Sequence, residues 1–172
     1  MITGERIVHG IAAVVAVLLQ VLVAPHIAIG FAVPNFILAF CFAFAIVRAE
    51  FAGPVMPFVL GLIFDLVSGG PVGAMAFALP LLVTLESWLF ERMNNDTLFM
   101  VIAVVGICVF LAEFIYGMIF LLFGYTAGFF EAFAYRILPC FIYDFILALL
   151  VYAGASRFFT GDTVTRTEIK QL

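Results

Sequence analysis

Apolar residues dominate the chain, and a few polar breaks divide them into six runs. The breaks have local causes. Pro25 and Pro34 bracket a short connection; Glu50, Gly53 and Pro54 mark the second; Ser68, Gly69, Gly70 and Pro71 form the third. The stretch 91–96, Glu-Arg-Met-Asn-Asn-Asp, is the most polar part of the interior, and Gly124 opens the last connection, which runs to Gly128. Helices are expected over 7–24, 34–49, 51–68, 72–91, 97–123 and 136–158. No residue between Arg6 and Arg48 carries a formal charge, which gives room for two spans of roughly 20 residues. Pro57, Pro80 and Pro139 fall inside predicted helices, where each removes an N–H donor and bends the helix. Such bends leave room for a cavity or a docking groove.

Composition turns these runs into membrane spans. Of 172 residues, 67% are hydrophobic and 10% charged; soluble domains average roughly 45–50% apolar and about 25% charged. The fold class is therefore an all-α integral membrane protein with six transmembrane helices. A transmembrane domain over 1–160 is followed by a polar tail, 161–172, expected to be a disordered cytoplasmic end. The N-terminus resembles a signal peptide, but Pro25 follows Ala24 and further spans come after, so it reads as an uncleaved first helix.

The net charge of −4 matters less than where the charges lie. With six spans, Arg6, Arg48, Arg92, Arg157, Arg166 and Lys170 share one side and Arg136 alone takes the other. By the bias of Lys and Arg toward cytoplasmic loops, both termini are cytoplasmic. There is no basic patch for nucleic acid.

Four carboxylates fall within spans: Asp65, Glu86, Glu113 and Asp144. One reading is a proton or ion path. The other is structural, each carboxyl fixing helix packing through hydrogen bonds. Other mid-span polar groups are few (Gln20, Thr84, Ser87), which favours the structural reading. Glu86 lies near the cytoplasmic end of its helix, within snorkelling reach of water. Arg136 can pair with Asp65, Glu131 or Asp144; Asp65 is preferred for its similar depth. His9 and His26 sit near span ends, where interfacial hydration accounts for them. Cys41, Cys108 and Cys140 lie in apolar runs without metal-ligand spacing and read as small buried hydrophobes. No nucleophile–base pair, metal cluster or phosphate loop is visible, so neither enzyme activity nor a cofactor is expected.

The most informative stretch is Gly61-Leu62-Ile63-Phe64-Asp65-Leu66-Val67-Ser68-Gly69-Gly70-Pro71-Val72-Gly73. It sets one carboxylate in an apolar run and then breaks the run with a turn that only Gly and Pro supply easily. This run, with Pro34-Asn35 opening the second helix, resembles the MreD family of the bacterial rod-shape system; Val72 stands where that family commonly has Leu. The resemblance is best over 34–92. It implies a non-enzymatic scaffold in the bacterial inner (cytoplasmic) membrane that binds the single-span protein MreC. Such a scaffold acts directly or indirectly with MreB, RodA and a class B penicillin-binding transpeptidase in side-wall peptidoglycan synthesis. On this reading Gly61, Asp65, Gly69, Gly70, Pro71 and Gly73 form the structural or partner-binding motif. The family's fold is similar to the substrate-binding subunits of energy-coupling-factor transporters. That similarity implies the alternative, a membrane subunit that captures a vitamin.

Overall fold

The computed structural model describes residues 2–30, 32–47, 53–93, 98–125 and 128–159, with side chains over 9–30, 32–47, 53–92, 98–125 and 128–157. The tail 161–172 and Arg48, Arg166 and Lys170 lie outside the described residues. All regular structure among them is helical. Helix α1 spans Ile2–Leu22, α2 Phe36–Val47, α3 Val55–Ser68, α4 Ala74–Met93 and α5 Leu98–Leu122. A short α6, Phe129–Ala132, runs through a π-helical turn, Phe133–Ile137, into α7, Leu138–Phe159.

Among the described residues, four helical segments are long and apolar enough to cross a membrane: His9–His26, Ala74–Arg92, Leu98–Leu122 and Phe129–Arg157. Helix α3 starts at Val55 and has 14 residues, about 21 Å, fewer than the 51–68 expected; α2 is described over 12 residues, Phe36–Val47. Helix α2 is the centre of the bundle: 37–45 is buried without a break, and it packs on each of α1, α3, α4, α5 and α7. Along its described length α2 therefore meets protein groups rather than lipid. The other helices turn large apolar side chains outward, among them Leu18, Phe58, Leu81, Ile107 and Ile146, as expected of surfaces facing lipid tails.

In lipid, close packing and interhelical hydrogen bonds hold a bundle together, and small residues allow both. Gly106 meets the Phe145 ring and Gly117 meets Ile137, bringing α5 against the last helix and the π turn. Ala39, Ala43, Ala78 and Ala148 are fully buried.

The proline positions refine the sequence expectation. Pro57 lies in the first turn of α3, where an N–H has no helical partner in any case. Pro80 is inside α4. Pro139 is the second residue of α7, with Leu138 alone between it and the π-helical turn, whose wider backbone relieves the clash of the ring with the preceding turn. The sixth predicted span therefore begins near Phe129 rather than at 136 and changes helical pitch on the way.

Two interior residues differ from expectation. His9 is 2% exposed and meets the Phe44 ring edge-on, with centroids 5.2 Å apart; it belongs to the packing of α1 on α2. Glu86 does not snorkel to water: it is fully buried, and both its carboxyl oxygens are without a hydrogen-bond partner. His26 is exposed, as expected. The three cysteines are buried and free.

Candidate functional site

The Asp65 motif forms a lock between α3 and α4. Its carboxylate accepts backbone N–H groups from Gly73 (2.9 Å), Met75 (3.0 and 3.1 Å) and Ala76 (3.1 Å). These are donors that the start of α4 leaves without helical partners, and the negative charge sits at the positive end of the helix dipole. The side chain is 1% exposed, so the capping bonds lie inside protein, where an unmet N–H is most costly.

The glycines make this geometry possible. Gly69 ends α3 in the left-handed conformation (φ 68°), and Gly73 (φ 101°) leads into α4. One turn before Asp65, Gly61 lies directly against the α4 backbone: a Cβ there would be 2.6 Å from the Met75 carbonyl oxygen and 2.8 Å from Ala76 N and Cα. Gly70 has no more room, facing the Tyr116 hydroxyl and the Phe120 ring. Ser68 Oγ and Tyr116 Oη share a 3.1 Å hydrogen bond that ties the hairpin to α5.

The start of α2 is held in a related way by residues from three helices. Asn35 Oδ1 accepts the Leu38 N–H at 2.9 Å, an N-cap bond. Gln20 of α1 accepts the Phe36 N–H at 2.8 Å and donates to the Pro34 carbonyl at 3.2 Å. Asp144 of α7 accepts the Asn35 N–H at 2.7 Å. The Tyr143 hydroxyl donates to the Ile27 carbonyl at 2.9 Å, fastening the α1–α2 connection to α7. Asp65 and Asp144 thus do the same job for two buried helix starts, in keeping with the structural reading of the carboxylates.

Arg136 does not pair with Asp65, whose oxygens are engaged by α4. Its guanidinium carbon lies 3.6 Å from the Phe120 ring centroid and 5.0 Å from that of Tyr116, a cation–π arrangement. Glu113 and Asp144 are close enough to interact with it electrostatically. These two also interact with each other across the α5–α7 seam.

Between the hairpin lock and the α2 cap lies a cavity of about 400 Å³. Its polar lining includes Gln20, Asn35, Ser68, Glu113, Arg136 and Asp144; Phe64, Tyr116 and Phe120 form an aromatic wall. The sequence did not reveal this chamber, because its walls come from α1, α2, α3, α5, the π turn and α7. One signal was available: Asn35 after Pro34, at the start of an apolar run, is an N-cap pattern. Among the described residues no cluster of His, Cys, Asp and Glu could hold a metal ion.

Comparisons with curated proteins and with solved structures give no match. The model of the family described as rod shape-determining protein MreD matches residues 2–159, from the first residue of α1 to the last of α7, and the chain belongs to that family.

Proposed function

We propose that this protein is a non-enzymatic scaffold subunit of the bacterial cell-elongation machinery that binds an MreC-like single-span protein in the inner membrane. The observation that carries this reading is the lock at Asp65. The motif residues are committed to joining α3 rigidly to α4, as a docking platform requires. An open, mostly apolar groove runs beside the lock along α4, lined by Pro54, Phe77, Pro80, Leu81, Leu85 and Trp88, with Thr84 as its one hydroxyl-bearing side chain. We assign the partner's helix to it, held by van der Waals packing and interhelical hydrogen bonds. RodA, the class B transpeptidase and MreB join directly or through MreC, and side-wall peptidoglycan synthesis is the output.

Six crossings with both termini cytoplasmic fit the charge placement. Arg92 and Arg157 close α4 and α7 at one end of the bundle, and Arg136 lies at the other. The basic end is then cytoplasmic, and the cavity and hairpin face the opposite side.

The polar cavity favours one competing reading, the substrate-binding subunit of a vitamin-uptake transporter of the energy-coupling-factor type. One experiment separates the two: purify the tagged protein from its native membrane in mild detergent and identify its companions. Recovery of an MreC-like protein, weakened by Leu81→Trp in the groove, supports the scaffold. Recovery of ATPase and coupling subunits, without any wall-elongation protein, overturns it.

A further inference from the structure

The cavity holds three buried polar atoms without hydrogen-bond partners: Asn35 Nδ2, Arg136 Nε and Asp144 Oδ2. Asn35 is fully buried and Asp144 is 1% exposed. The orientation of Asn35 is fixed, because its Oδ1 caps Leu38, which leaves the amide nitrogen as the spare group. Asp144 is fixed in turn, with Oδ1 on the Asn35 N–H and its carboxyl in side-chain contact with that of Glu113, while Oδ2 has no aligned donor. Two spare donors and a carboxyl pair therefore share one chamber, and one carboxyl of the pair belongs to the side chain that holds Asn35. Unmet polar groups at such burial are costly, and a cluster of them in a cavity points to an occupant.

Size and charge narrow the class of occupant. The chamber, about 400 Å³, far exceeds the share of a single water, about 30 Å³, and falls in the usual range for small-molecule sites. Two carboxyls, Glu113 and Asp144, face one guanidinium, Arg136, so a positive group is welcome beside an anionic one. The aromatic wall accepts an apolar body. The rim is open: Pro25, Ser68, Gly69 and Tyr125 are exposed.

We infer that this cavity is a binding site for a small zwitterion of the amino-acid class. The carboxylate of the ligand accepts from Arg136 Nε and Asn35 Nδ2, its ammonium donates to Asp144 Oδ2 beside Glu113, and its apolar side group lies against Phe64, Tyr116 and Phe120. The site is separate from the groove assigned to the MreC-like partner, and its failure would leave that reading untouched.

The test is calorimetric titration of the full-length, extensively dialysed protein in lipid nanodiscs with three probes that share one isobutyl body. These are leucine, with both charged groups; 3-methylbutylamine, with the amine alone; and 4-methylpentanoate, with the carboxylate alone. Saturable one-to-one binding of leucine is expected. Each truncated probe should bind roughly ten- to a hundredfold more weakly, the loss expected from one charged hydrogen-bonding end. Asp144→Asn keeps an oxygen for the Asn35 N–H but removes the acceptor for the ammonium; Ala28→Phe, at the cavity wall, narrows the chamber. Both should weaken leucine binding by about tenfold or more, and Ala28→Phe should leave recovery of the MreC-like partner unchanged. Three results would overturn the inference: no saturable binding up to about 10 mM, leucine no tighter than its truncated analogues, or binding unchanged by both Asp144→Asn and Ala28→Phe. Any of them would make the chamber a water-filled vestibule and leave the scaffold reading untouched.

Discussion

Replacing Gly61 by alanine adds one methyl group where two helix backbones touch. The new Cβ would stand 2.6 Å from the Met75 carbonyl oxygen, whereas ordinary contact begins near 3.4 Å. The obstructing atoms are all backbone, so no rotamer change relieves the clash, and α3 must part from α4 by about 0.8 Å. Overpacking of this kind costs about 1–3 kcal/mol. A second loss follows. The N–H groups of Met75 and Ala76, which bond Asp65 at 3.0–3.1 Å, move away with the α4 backbone, and at the full displacement those bonds pass out of range. Weakening even one charge-assisted bond adds about 1.5–3 kcal/mol, giving a total of about 2.5–6 kcal/mol. At about 2–4 °C per kcal/mol for a chain of this size, melting in detergent, followed by intrinsic fluorescence, should fall by at least about 5 °C. The double variant with Asp65→Asn should lose less than the sum of the single losses, because both changes break the same bonds. A Gly61→Ala protein that melts within about 1 °C of the parent, or strict additivity with Asp65→Asn, would refute the coupling of close approach to capping.

Other expected outcomes follow from the same contacts. Asp65→Asn retains an acceptor for the α4 N–H groups and should be milder than Asp65→Leu, which leaves them bare at a cost of about 2–4 kcal/mol; chemical denaturation in mixed micelles gives the order, and a Leu variant as stable as Asn would contradict it. Glu86→Leu removes two buried oxygens without partners and should raise the melting temperature by about 2–6 °C; a fall would mean that the carboxyl has a stabilising role. Gln20→Leu strips a bond from Phe36 N and another from the Pro34 carbonyl. Amide hydrogen exchange should then quicken at the start of α2 by about tenfold or more, while exchange in α4 stays at its parent rate.

The hairpin at Asp65 was legible because its logic is local. A carboxylate, a left-handed glycine and the start of the next helix fall within a dozen residues, and glycine and proline announce the turn. The partner of Arg136 was not legible. Depth along the membrane suggested Asp65, but the choice depends on which helices are neighbours, and α5 contributes the Phe120 and Tyr116 rings that the guanidinium covers. Glu86 and His9 show a related limit. Nearness to a span end was read as nearness to water, yet a residue near a helix end can face the interior, and both do. The π turn at Phe133–Ile137 shifted the start of the last span in a way that hydropathy, blind to helical pitch, does not register. The polar cavity escaped because residues as far apart in sequence as Gln20 and Asp144 meet only when the bundle closes.

The bond from Asp144 to Asn35 spans 109 residues, and it has a consequence for how the protein is made. Helix α2 leaves the ribosome early, with the N–H of Asn35 still without the acceptor that the final helix brings. The start of α2 therefore reaches its final set of hydrogen bonds only after α7 has been made, and a chain cut short before Asp144 lacks one of the bonds that hold α2 in the bundle.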